Sequence, residues 1–157
     1  MTFSDDQKLS LYEIAKLGRK LMSEHGLYNW RFDFNNRKNS YGVCNHGRRT
    51  IFLSKLLAPQ LRFRDLENTI LHEIAHALVG IHHGHNHVWR RKALEIGCDG
   101  HRTANYNIKV DYKYLATCPA CGKKVGVNRR PTRKYAHNCG GSRTFDPSRE
   151  LHFVQQY

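Results

Sequence analysis

Apolar positions recur at helical spacing in three stretches of the chain and alternate at strand spacing in one. Leu11, Ile14, Ala15, Leu21 and Met22, with Leu17 on the flank, predict an amphipathic helix over 4–24, with Ser4 as its cap and His25-Gly26 as its stop. Trp30, Phe32 and Phe34 alternate with Arg31 and Asp33, as a half-buried strand should. Polar turns at 35–39 and 45–47 set off two further short strands, 41–44 and 49–53, and this succession predicts an antiparallel meander. Pro59 then breaks the chain. A second helix is predicted over 65–79, closed by Gly80, with Leu66, Ile70, Ile74 and Leu78 as its apolar stripe. A loop rich in His and Gly (80–87) leads to a third helix over 88–96, closed by Gly97. The class expected is α+β, with one domain over 1–105 and a second module over 106–157.

Composition supports a folded core, with 39% apolar and 11% aromatic residues among 157. No run approaches the roughly 18 apolar residues of a membrane span, and the first twenty residues lack the apolar core of a secretion signal. A cytoplasmic protein without a membrane partner is the expectation. Charge changes the picture more. Lys and Arg number 26 against 13 Asp and Glu, a net +13, which points to an acidic partner, nucleic acid first. Eight of the cations fall between Tyr112 and Phe145, where no Asp or Glu occurs.

Histidine and cysteine bring in chemistry. Six of the 11 His lie between positions 72 and 87. In His72-Glu73-Ile74-Ala75-His76 the two imidazoles fall on one helical face, roughly 40° apart and one turn along, within reach of one ion. Glu73 lies roughly 60° beyond His76, too far round to be an obvious third ligand but placed to reach a water on that ion. Zinc on three protein ligands lowers the pKa of such a water to about 7, and a carboxylate can then take its proton. For the third ligand the spacing leaves His82, His83, His85 and His87 open; His82 would suit a metzincin-like pattern, but Val79 stands where that pattern needs Gly.

The stretch from His72 to Gly97 resembles the SprT-like (Spartan) metalloprotease family, through its HExxH helix, the following loop, Gly84-His85, and Trp89 four residues later. The segments 41–44, 49–54 and 66–72 resemble the same family, so the likeness covers most of the first hundred residues. The resemblance implies a zincin-like minimal metalloprotease domain and a zinc metalloendopeptidase, with His85 as third zinc ligand and Trp89 packing the following helix. It also implies substrates that are proteins bound or crosslinked to DNA, and a part in DNA repair.

Cys118-Pro119-Ala120-Cys121-Gly122 has the form of a zinc knuckle. Cys139 has no second Cys at the matching spacing, so His137 completes the expected set of Cys118, Cys121, His137 and Cys139. A module of about 35 residues is too short to rest on a core alone, and zinc supplies on the order of 10 kcal/mol in such peptides. Ribbons of this kind also follow the protease domain in SprT-like proteins. Cys44 and Cys98 read as structural. One catalytic and one structural zinc ion are therefore expected.

Lys123, Lys124, Arg129, Arg130, Arg133 and Lys134 surround the proposed knuckles, with Tyr112, Tyr114 and Tyr135 nearby. They suit phosphates and stacked bases of single- or double-stranded DNA, without base specificity. The rival reading is a DNA-binding protein with a vestigial HExxH; such a protein would have no need of Glu73.

Overall fold

The computed structural model describes residues 3–104, 106, 108, 111–141 and 144–157. The chain divides into two compact units, Met1–Lys109 and Val110–Tyr157. Asn105, at the boundary expected from sequence, lies outside the described residues, but Tyr106 and Ile108 pack on the core of the first unit, which therefore continues past that boundary. No helix among the described residues is long and apolar enough to cross a membrane.

The first unit opens with helix α1, Leu11–Glu24. Its cap is Ser10, not Ser4: the Ser10 hydroxyl accepts from the Glu13 N–H at 3.3 Å and the Glu13 carboxylate accepts from the Ser10 N–H at 2.8 Å. This reciprocal capping box satisfies two donors that a lone Ser4 could not. The buried face also differs from expectation, because Leu17 and Gly18 are buried while Leu11 is exposed. A side chain at Gly18 would overlap the Phe32 ring, so this glycine lets α1 close on the sheet.

Three strands follow, β1 (Arg31–Asn35), β2 (Gly42–Asn45) and β3 (Thr50–Ser54), in the order β1-β3-β2. The expected antiparallel meander is corrected here. β2 does pair antiparallel with β3, but β1 pairs parallel to β3, with Arg31 opposite Thr50 and Asn35 opposite Ser54. The reason lies in burial: Thr50, Ile51, Leu53 and Ser54 are all buried, so β3 needs a neighbour on both edges and takes the centre. β2 is left as an edge strand.

Helix α2, Phe63–Val79, passes through the core with Leu66, Ile70 and Ile74 fully buried, and emerges at Leu78, which is exposed. Gly80 caps it at φ +89°, a conformation that favours glycine. Helix α3, His87–Glu95, begins at Asn86, whose side-chain oxygen accepts from the Val88 and Trp89 N–H groups.

In the second unit, β4 (Tyr114–Thr117) lies between β5 (Lys124–Val127) and β6 (Val154–Gln155), all antiparallel. Its core is small: Ala116, Cys118 and Leu151 are buried, and Val125 and Phe153 pack beside them. The whole is a mixed α+β fold with three α-helices and two small sheets among the described residues.

Candidate metal centres

α2 presents His72 and His76 one turn apart, and the turn at Gly84 (φ +46°) brings His85 across to them. Nε2 of His85 lies 3.0 Å from Nε2 of His72 and 3.0 Å from Nε2 of His76. Three imidazole nitrogens aimed at one point repel each other unless a cation sits among them. Ligand nitrogens at about 2.0–2.1 Å from a tetrahedral zinc ion have a comparable spacing. Burial holds His72 down to about 4, helped by the neighbouring His85, and holds His76 down to about 3, helped by His72 and His85. Both rings therefore stay neutral with lone pairs available to a metal. Burial, with the Arg102 guanidinium, also lowers His85. Among the described residues His82, His83 and His87 belong to no such cluster; His83 instead meets the Asn86 side chain.

Trp89 forms the floor of the cluster. It is buried, and its ring centroid lies 4.7, 5.2 and 4.6 Å from those of His72, His76 and His85, stacked on His76 and tilted or edge-on to the others. Sequence placed Trp89 in the packing of α3; here it supports all three imidazoles.

Glu73 turns from α2 toward the edge strand β2 and is buried. Burial pushes its carboxyl up to about 7, against the Cys44 main-chain N–H, whose hydrogen bond favours the charged form. A cleft of about 540 Å³ opens over this wall, with Tyr41, Gly42, Glu73, His76 and His85 among its lining residues. Cys44 also faces it, its sulphur 3.6 Å from Nε2 of His46. Burial, with Glu73 beside it, pushes the Cys44 thiol up to about 12, so it remains a thiol rather than a competing thiolate ligand. Cys98 is buried in the core. No spacing pattern predicts that Gly42 and the Cys44 main chain flank Glu73, because that contact exists only once β2 lies against α2.

In the second unit Cys118, Cys121, His137 and Cys139 converge, with one ligand atom of each within 4.8 Å of the others. Cys118 Sγ is 3.9 Å from Cys139 Sγ, and Cys121 Sγ is 3.2 Å from His137 Nδ1. Main-chain N–H groups of Cys121 and Ala120 hydrogen-bond the Cys118 sulphur, as they would a thiolate in a knuckle. Three sulphurs and one imidazole nitrogen form a donor set suited to a structural zinc ion.

Lys123, Lys124, Arg129, Arg130, Arg133 and Lys134 are all exposed. They are not equivalent, because Lys134 lies 3.8 Å from the Glu150 carboxylate. Arg129, Arg130 and Tyr135 line a shallow cleft with Phe153. Tyr112 instead packs over Gly126, where no Cβ would fit.

No curated protein matches the chain significantly. The SprT-like family model matches residues 13–112, nearly two thirds of the chain and the whole stretch that carries His72, Glu73, His76 and His85. The chain belongs to the SprT-like family, as a zinc-dependent hydrolase with one His-based and one Cys/His-based metal cluster.

Proposed function

We propose that the protein is a zinc endopeptidase acting on proteins bound or crosslinked to DNA. The observation that carries the catalytic half is the convergence of the His72, His76 and His85 Nε2 atoms beside a buried carboxylate in an open cleft. In this reading those three nitrogens hold the zinc ion, which when bound supplies a Lewis acid for a peptide carbonyl and acidifies water. Glu73 is the general base. Its carboxylate, oriented by the Cys44 N–H, takes the proton from the attacking water and passes it to the departing amine. Trp89 keeps water from the back of the imidazoles, and the cleft takes the substrate backbone along its open side.

The Cys/His cluster serves as a structural zinc site in this reading, because the core of the second unit is too small to stand without one. Exposed Lys123, Lys124, Arg129, Arg130 and Arg133, in a segment free of acidic residues from Tyr112 to Phe145, support a DNA-binding role without base specificity. DNA then decides where cleavage happens, and the association would be with the nucleoid or other DNA in the cytoplasm.

The test compares zinc-loaded wild type with Glu73→Gln on a protein crosslinked to DNA and on the same protein free. Loss of the general base should lower cleavage by about a hundredfold or more. Undiminished cleavage with zinc retained removes Glu73 from this role. A wild type that holds zinc and binds DNA yet cleaves nothing would favour the non-catalytic reading.

A further inference from the structure

The cleft is also lined by a hydrogen-bonded frame beside His72, formed by Asn68, Asp99 and His101. Asn68 lies one helical turn before His72 on α2 and so shares its face. Asn68 Nδ2 donates to Asp99 Oδ2 at 3.0 Å, and Asn68 Oδ1 accepts from the Asp99 main-chain N–H at 2.9 Å. The other carboxylate oxygen, Asp99 Oδ1, accepts from the His101 main-chain N–H at 2.9 Å. Gly97 (φ +92°) and Gly100 (φ +69°) shape this turn, and a Cβ at Gly100 would stand 3.2 Å from Leu94.

The His101 main chain in turn hydrogen-bonds the His72 ring. Nε2 of His72 faces His85, so this bond belongs to Nδ1, whose N–H donates to the His101 carbonyl. Both carboxylate oxygens of Asp99 are engaged by the frame, and Asp99 lies outside the cluster of converging imidazoles.

We infer that Asn68 and Asp99 are positioning residues for the metal centre: they clamp the His101 carbonyl where it fixes the tautomer and orientation of His72, with Nε2 turned toward His76 and His85. The inference rests on the reading of the His cluster as a zinc site. A ligand histidine whose other nitrogen is held in this way loses less freedom on binding metal and is a stronger donor, and removing such a partner costs about 10–100-fold in metal affinity.

The experiment uses the full chain with cobalt or zinc. Asn68→Ala, Asp99→Ala and the double variant are titrated against a chromophoric chelator, and the cobalt absorption of the His site is recorded. The cobalt–thiolate band of the Cys/His site is an internal reference. Each single variant should lose about 10–100-fold in affinity at the His site, shift the cobalt bands of that site, and leave the thiolate band unchanged. The double variant should lose no more than the worse single one, because the pair acts as a unit. Asp99→Asn keeps the volume, an acceptor for the His101 N–H and the main-chain bond to Asn68, so it should lose less than Asp99→Ala even if the alanine variant folds poorly. Lys92→Ala removes only an ion pair with Glu95 on α3, away from the frame, and should leave the affinity as it was. Wild-type affinity and cobalt spectrum in Asn68→Ala and Asp99→Asn, or losses that add in the double variant, overturn the frame while leaving the zinc reading intact. A wild type whose His site takes up neither metal overturns both.

Discussion

Gly42 lies so close to Glu73 that a methyl group on its Cα would stand 2.8 Å from the Glu73 Cγ and 2.8 Å from Oε1. Real Cβ atoms do not tolerate that approach, so a larger residue at 42 must push the carboxylate away from its place. Gly42→Ala should therefore lower kcat by about a hundredfold, the scale of a 1 Å misplacement of a catalytic group. Zinc content should stay unchanged, because the three atoms nearest to such a methyl group all belong to Glu73. Kinetics beside metal analysis checks this; an active Gly42→Ala enzyme would show that Glu73 need not be held there.

Zinc-stripped protein should show a specific coupling of stability to pH. Burial raises Glu73 from 4.5 to about 7, so its contribution is full below pH 4.5 and lost as pH rises through about 7. Burial, with neighbouring imidazoles, lowers His72 and His76 from 6.5 to about 4 and about 3, so these two cost stability as pH falls below 6.5. Between 4.5 and 6.5 two histidine protons outweigh one carboxyl proton, and stability should fall toward acid. Glu73→Gln removes the opposing member, so its stability relative to wild type should grow as pH rises from 4.5 to 7. Urea midpoints followed by tryptophan emission report it, since Trp30 and Trp89 both lie in the first unit. A difference that is flat with pH would contradict the burial of Glu73.

Trp89 contacts all three imidazoles, so its emission should change as zinc fills the site, and Trp89→Phe should abolish that change while Trp30 still emits. Trp89→Ala removes the floor altogether and should cost about 3–5 kcal/mol of stability. A zinc titration that leaves wild-type emission unmoved would argue against metal at the His cluster.

Much of this was legible in sequence because it depends on local spacing. His72, Glu73 and His76 are set by one helix, and the Cys118–Cys121 knuckle by one turn. The parallel β1–β3 pair was not, since short strands with polar turns look alike whichever edge they join; only the burial of both faces of β3 decides it. The Ser10 capping box is readable as Ser-x-x-Glu, but Ser4 followed by two Asp has the same local look of a cap, and only the structure separates them. Gly42, Cys44, Asn68 and Asp99 act through tertiary contact, and only Asn68, one turn before His72, left a trace in the spacing.

Lys134 offers a test of the DNA-binding proposal within a single patch. Its ion pair with Glu150 offsets its charge, whereas Arg130 has no carboxylate within ion-pair distance among the described residues. Replacing Arg130 with Ala should reduce the slope of log Kd against log salt by about 1, and Lys134→Ala should reduce it less. Equal effects, or a wild type whose binding ignores salt, would contradict the assignment of these cations to phosphates.

The most direct measurement is the number of zinc ions in purified protein, wild type and His85→Ala, by elemental analysis. Two ions per chain in the wild type and one in the variant, with cleavage lost, are the predicted result. A wild type carrying no zinc, or a His85→Ala protein that keeps two ions and full activity, would contradict it.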